Sequence, residues 1–393
     1  MEETNHNYDR RKFIQQTSIA GAGLLLANPL SFLAANVVDE KLKGNIKSRG
    51  YAGRNEKDGV TPWEFERRAV GDNDILIEVK YSGICHSDIH MVKGHWWKVQ
   101  YPLVVGHEIA GIVTAVGKNV TKFKVGDKAG VGCMVDSCLE CSPCKHGEEH
   151  YCEKGNLGTY GVPDKTSPTG VTQGGYSNNF VVRDHFAIKI PSNIDLQHAA
   201  PLLCAGITTY SPLIKANFKR GEKIGIAGIG GLGHIAVKLA VSKGADVYAF
   251  TTSPDKVKDI LSFGAKEVIV VDSLDKLKPY YGKLDFLLST IPYAYEISFY
   301  ANMVKPYGTM TQVGQPVNGH ITSDYFQMMS NRVNINASMI GGIPETQEVM
   351  NYCADNNLLP EIQIINPEQI NDAWEKVVNK QARYRYVIDA SKF

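Results

Sequence analysis

Four cysteines crowd one short stretch, as Cys138-x-x-Cys141-x-x-Cys144-x7-Cys152. Two-residue gaps strain poorly into disulfides but suit a tetrahedral ion, because one loop can then supply four thiolates without distant help. A site closed by four protein ligands leaves no position for substrate, so its chemistry is structural: a zinc ion that staples a long loop. A second pattern, Gly228-x-Gly230-Gly231-x-Gly233, stands between the apolar run Lys223 to Gly228 and a helix opening at His234. In that strand-turn-helix context glycines let the backbone turn tightly under a pyrophosphate, and the helix amino terminus offers free N–H groups and a positive dipole end. The bland alternative is a glycine-rich turn that binds nothing.

After the next strand, where an NAD-selective protein places an acid for the ribose hydroxyls, the chain has Thr251-Thr252-Ser253 and then Lys256. Hydroxyls with a cation accept a 2′-phosphate without repulsion, which favours NADP(H). Ser253-Pro254-Asp255 also reads as a helix amino-terminal cap, and both roles can coexist.

The elements that must position these groups fall into two grammars. The chain has 393 residues, 43% of them apolar and 21% charged, enough for two domains with substantial cores. With 42 basic against 41 acidic residues there is no overall basic field for nucleic acid, so small-molecule partners are expected. Short strands separated by glycine turns, from Asp74 to Ser82 through Phe180-Val181-Val182 to Ala187–Ile190, predict a compact β-rich unit. From Ala199 a helical segment opens an alternating pattern. Strands are expected at 223–228, 246–250, 267–271, 286–289 and 309–313, with helices at 235–242 and 257–263; this predicts a doubly wound parallel sheet. Helices around Glu345 to Asn356 and Ile370 to Asn379 are too little for a domain, so residues 338–393 are expected to return to the first unit, giving boundaries at 48–198, 199–337 and 338–393.

The stretch Gly83-Ile84-Cys85-His86-Ser87-Asp88-Ile89-His90, then Tyr101-Pro102 and Gly106-His107-Glu108-x-x-Gly111-x5-Gly117, resembles zinc-containing medium-chain alcohol dehydrogenases. Leu202-Leu203-Cys204-Ala205-Gly206-Ile207-Thr208-Thr209-Tyr210 is most similar to the cinnamyl alcohol dehydrogenase branch, including bacterial broad-range aldehyde reductases. The likeness runs from about Ser48 to Phe393. It implies an α/β fold, a GroES-like β-rich catalytic domain plus a Rossmann domain, working on a primary alcohol and its aldehyde. It also implies two zinc ions per subunit and a homodimer or homotetramer. Taken singly, His107 reads as a satisfied polar residue and Cys204 as a core residue. The resemblance instead assigns Cys85, His107 and Cys204 to a catalytic zinc, with Glu108 as an alternating or resting ligand and an open position for the substrate oxygen. It gives Ser87 and His90 to a proton relay, Asp88 to the orientation of the ligands, and His86 and Arg385 to the pyrophosphate. Trp96 and Trp97 fall where the family lines its substrate cleft; the pair departs from the commoner single tryptophan, and one of the two is expected to pack in the core. Cys133 and Cys353 match no ligand pattern and read as packing residues.

Residues 1–36 differ from all that follows: Arg10-Arg11-Lys12-Phe13-Ile14 precedes an apolar small-residue run from Ile19 to Ala27. This looks like a twin-arginine export signal, with 37–47 as linker, and predicts a periplasmic protein, or a cytoplasmic one if the signal is unused. The run is too short to span a bilayer, so no membrane span is expected in the mature protein. Three rival functions fit the sequence less well. A polyol dehydrogenase is disfavoured by the missing acid and the aromatic cleft. A non-catalytic NADP(H) sensor predicts a broken catalytic set, and a nucleic-acid-binding zinc ribbon lacks a basic face.

Overall fold

The computed structural model describes residues 44–393 apart from 318 and 319; the export-like segment lies outside the described residues. A seven-stranded sheet carries Ile362–Ile365, Arg385–Asp389, Asp74–Gly83, Ile109–Val116, Lys128–Val131 and Ala187–Lys189 in that order, with Asn179–Arg183 pairing Asp74–Gly83 as well. Asp74–Gly83 therefore sits at its centre. Its buried face supplies Ile75, Ile77 and Val79, the alternation that a half-buried strand requires. The two tail strands join this sheet, and Arg385–Asp389 lies antiparallel to Asp74–Gly83.

The second sheet is parallel throughout, in the order Glu267–Val270, Asp246–Thr251, Lys223–Ala227, Leu284–Ser289, Val304–Gln312, Asn334–Ala337. Counted within the sheet this is 3-2-1-4-5-6, the doubly wound order whose switch point falls beside Lys223–Ala227. One continuous apolar core joins both sheets, from Ile75 and Ile109 to Ile224 and Leu239.

Three elements differ from expectation. A hairpin, Ile46–Gly53 against Val60–Arg67, takes up Ile46 and Lys47, which the sequence put in the linker. Asn334–Ala337 forms the sheet's edge although two of its four residues are asparagine. The helix expected from Ala199 is interrupted: Leu196–Pro201 and Ile207–Lys215 are α-helical, but Leu202–Gly206 between them is a wide π turn. Such a turn breaks the regular side-chain progression, and it carries Cys204.

Candidate active site

Cys85 caps the short helix His86–Val92, its backbone N–H donating to Asp88 Oδ2 at 2.9 Å. His107 and Glu108 immediately precede Ile109–Val116, the neighbour of Asp74–Gly83, and Cys204 arrives on the π turn. These three segments bring one ligand atom each from Cys85, His107, Glu108 and Cys204 within 4.8 Å of one another, all buried. Cys85 Sγ and Cys204 Sγ are 3.9 Å apart, and His107 Nε2 is 3.1 Å from Cys204 Sγ. Thiolates on one zinc at about 2.3 Å stand about 3.8 Å apart, so the donors fit that ion. Glu108 Oε2 is buried with no hydrogen-bond partner, which a nearby cation would satisfy. Burial lifts the Glu108 carboxyl to about 7, against the pull of Arg385, with which its Oε1 forms an ion pair.

Asp88 does more than cap its helix. Fully buried, it accepts from Cys85 N–H, from Gly106 N–H at 3.1 Å and from the Tyr176 hydroxyl at 3.0 Å, and its Oδ1 stands 3.4 Å from His107 Nδ1. Tyr160 OH also meets His107 Nδ1 at 3.0 Å, and Trp374 Nε1–H donates to Tyr176 OH. Carboxylate and phenol thus orient the imidazole so that Nε2 faces the thiols. Tyr160, Tyr176 and Trp374 carried no sequence signal, because each is remote in the chain from the ligand it steadies.

Ser87 Oγ lies 3.6 Å from Cys85 Sγ, and His90 one turn on stacks on His86 with ring centres 4.9 Å apart. Trp96 packs 5.1 Å from the His90 ring with its indole N–H buried and unpartnered, and it lies against the apolar core around Val92 and Leu103, as expected for one of the pair, whereas Trp97 is 52% exposed. Cys133 is half-buried, its Sγ 4.0 Å from the Leu203 carbonyl, next to the π turn. Cys353 is 1% exposed in the apolar core.

In the cysteine loop, Cys138 to Cys144 and Cys141 to Cys152 are both 3.9 Å between sulfurs, and all four sulfurs lie within 4.8 Å. That is far beyond a disulfide and matches a tetrahedral zinc. Backbone N–H groups of Glu140 and Cys141 point at Cys138 Sγ and hold its thiol down, to about 6.

The glycine turn follows Lys223–Ala227 directly. Gly228 has φ +85°, a region closed to most side chains, and a Cβ on Gly233 would lie 2.1 Å from the Gly228 carbonyl oxygen. Gly230 faces open space. Arg385, 4% exposed, reaches across from the tail: a Cβ on Gly231 would meet its Nη1 at 2.7 Å while the same guanidinium holds Glu108. Its Nε is buried without a partner. The arginine therefore links the glycine turn to the ligand cluster. Thr251 is buried, Ser253 half-buried and Thr252 exposed at the end of Asp246–Thr251. Lys256 turns inward: its Nζ is 3.4 Å from the Ile229 carbonyl and lies over the Tyr384 ring. His234 seals the turn from below. Its Nδ1 is 3.2 Å from the Gly230 carbonyl, its Nε2 accepts from Glu361 N–H at 3.1 Å, and its ring stacks on Tyr384.

A fold of this kind, with one closed thiol site, one open mixed-ligand site and a nucleotide-type turn beside it, defines a two-domain metal-dependent dehydrogenase. Comparison with known proteins agrees. Residues 71–192 match the family described as alcohol dehydrogenase GroES-like domain, and residues 231–355 match zinc-binding dehydrogenase. The chain is 44% identical over 342 residues to NADP-dependent alcohol dehydrogenase C 1 of Mycolicibacterium smegmatis, covering 87% of this chain and 97% of that protein. It is 42% identical over 345 residues to aldehyde reductase YahK of Escherichia coli, covering 88% and 98%. Among solved structures, the cinnamyl alcohol dehydrogenase of Helicobacter pylori complexed with NADP(H) superposes with a TM-score of 0.84 at 42% identity, covering 88% of this chain and 99% of that one. The protein belongs to the zinc-binding alcohol dehydrogenase family, in its cinnamyl alcohol dehydrogenase-like branch.

Proposed function

We propose that the protein is a zinc-dependent oxidoreductase that transfers hydride between NADP(H) and a primary alcohol/aldehyde pair, with broad-range aromatic or aliphatic aldehydes as substrates. The observation that carries this reading is the convergence of Cys85, His107, Glu108 and Cys204, which Arg385 ties to the glycine turn. These four side chains would hold one zinc, and Cys138, Cys141, Cys144 and Cys152 a second. The catalytic ion supplies Lewis-acid polarisation of the substrate oxygen. The chain does the rest. Ser87 holds the proton of that oxygen in reach of His90, and Asp88 keeps His107 oriented. Gly228, Gly230, Gly231 and Gly233 let backbone N–H groups close on the pyrophosphate, with His86 and Arg385 beside it. Thr251, Thr252 and Ser253 offer hydroxyls to the 2′-phosphate, and Lys256 has to turn outward to join them. Trp96 gives the cleft an aromatic wall.

The test is loss of NADPH absorbance with a panel of aldehydes, run beside NADH and beside chelator-treated protein. Rapid chelator-sensitive oxidation of NADPH with little loss of NADH supports the proposal. No turnover with either nucleotide, in protein shown to hold two zinc ions, refutes it in favour of a nucleotide-sensing module.

Two properties complete the proposal. The edge strand Asn334–Ala337 pairs only with Val304–Gln312 among the described residues, and Tyr325 and Phe326 nearby are 78% and 71% exposed. An open edge beside apolar side chains is a surface for a second copy of the chain. This supports a homodimer or homotetramer, checked by light scattering coupled to size exclusion. The Arg10-Arg11 segment supports export by the twin-arginine route, and no helix among the described residues is long and apolar enough to cross a membrane. Recovery of the full-length protein only from the cytosol on cell fractionation would remove that part of the proposal.

A further inference from the structure

Three imidazoles gather along and just beyond the helix His86–Val92. His86 and His90 stack in parallel, and His90 Nδ1 lies 2.9 Å from His95 Nδ1. The chain is built to bring His95 back: Gly94, at φ +61°, reverses direction after the helix His86–Val92, and His95 N–H donates to the His90 carbonyl at 2.9 Å. A hydrogen bond between two Nδ1 atoms requires one to carry the proton and the other to be bare, so the two rings hold opposite tautomers. Each ring then presents its Nε2 on the far side. His90 Nε2 is buried without a hydrogen-bond partner, and the His90 residue is only 6% exposed. His95 is exposed. The pair therefore has one end buried and the other in water.

We propose that His95 is a proton-exchange residue that acts through His90, carrying the proton released by the alcohol to solvent and returning it during aldehyde reduction. This rests on the relay reading of Ser87 and His90 above. The moves balance. A proton reaches His90 Nε2, the proton on His90 Nδ1 crosses to His95 Nδ1, and the one on His95 Nε2 passes to water. Neither ring keeps a charge, the two rings end in exchanged tautomers, and aldehyde reduction runs the same moves backwards and restores them.

The need for a second acceptor follows from the surroundings of His90. Burial, then the neighbouring His86 and His95, hold it down to about 4, with Lys93 adding to that and Cys85 opposing. Glu56 approaches the turn at Gly94. A ring in that setting does not store a proton near neutrality, so a proton that arrives must leave in the same event. His95 is the group placed to take it. Sequence reading passed over it because it stands in an exposed turn before Trp96, with no motif of its own.

The experiment is single-turnover alcohol oxidation by the zinc-loaded, full-length enzyme in dilute buffer, comparing His95→Gln, His95→Ala and His90→Gln with the natural protein. Proton-transfer groups contribute about 10²- to 10⁴-fold, so both His95 variants should slow NADPH formation about a hundredfold, with the steady-state KM for alcohol and the affinity for NADP, measured alongside, unchanged. Gln keeps a hydrogen bond to His90 but cannot pass a proton through itself, so its loss separates relay from positioning. Added imidazole should restore most of the rate of His95→Ala. Natural rates in His95→Gln, a loss in His95→Ala that imidazole leaves untouched, or a shift in NADP affinity that accounts for the slowing would each overturn the inference. If His90→Gln slows turnover and the His95 variants do not, only this inference falls. If His90→Gln is also without effect, the relay reading falls with it.

Discussion

The two sulfur-rich clusters bind by the same distances and do different things. In the loop at Cys138 to Cys152 four thiols come from one continuous stretch, with every ligand position filled by the same atom type. In the cleft, two thiols, an imidazole and a carboxylate come from three segments far apart in the chain, two of them flanking strands of the first sheet and the third on the π turn. The first is closed, with Cys144 and Cys152 buried and Cys138 and Cys141 half-buried; the second is fully buried, and its carboxylate is shared with Arg385. A closed thiolate cage contributes folding energy, whereas a mixed set with a carboxylate that can be drawn aside leaves room for substrate. Position in the chain thus separates a staple from a working centre more clearly than ligand type does.

The largest break of that comparison is expected from Cys85→Ser. Lewis-acid polarisation is worth several kcal/mol of transition-state stabilisation, so kcat/KM for aldehyde should fall by about a thousandfold or more, with the thermal midpoint little changed. The opposite pattern is expected for Cys144→Ser. Losing the staple should lower the midpoint by about 4 °C, as for a loss of about 3 kcal/mol in a chain of this size, while freshly purified protein keeps most of its kcat. Calorimetry beside the NADPH assay reads both. Asp88→Asn touches no metal yet removes the charge that His107 faces at 3.4 Å. Partners of this kind are worth about 10- to 100-fold in metal affinity, and competition with a chromogenic chelator measures that.

The smallest effect sharpens the contrast from the nucleotide side. Burial holds His234 down to about 3, below the ordinary 6.5 of histidine. The ring is neutral in the folded protein, with Nε2 accepting from Glu361 N–H. A depressed histidine leaves the unfolded chain with the extra proton between those two values, so its stabilisation is full above about pH 6.5 and is lost as pH falls towards 3. The slope is at most about 1.4 kcal/mol per pH unit for one proton. Urea midpoints at mildly acidic and neutral pH should converge in His234→Gln and diverge in the natural protein.

The loop cluster was legible because its ligands are contiguous, and the glycine turn because a strand and a helix bracket it. The doubly wound order followed from alternating apolar runs such as Lys223–Ala227 and Leu284–Ser289, which parallel strands buried on both faces require. Cys204 was different. Nothing in local spacing predicts a π turn, and only resemblance joined it to Cys85 and His107. Asn334–Ala337 escaped because asparagine disfavours strands, and its pairing with Thr309–Gln312 is decided by tertiary context. The hairpin at Ile46–Gly53 and Val60–Arg67 gave no strand signal, and its first two residues fell in the expected linker; Arg67 anchors it by donating to the Gln173, Gly174 and Asn179 carbonyls, contacts more than a hundred residues away. Lys256 shows a further limit, since its residue type suits a phosphate but its side chain lies inward on Ile229.

The most direct test of two separable zinc centres is metal content by plasma mass spectrometry on the natural protein, Cys85→Ser and Cys144→Ser, each assayed for NADPH oxidation on the same day. The account predicts about two, one and one zinc ions per chain, with activity lost only in Cys85→Ser. A single zinc in the natural protein, or full activity in Cys85→Ser, would contradict it.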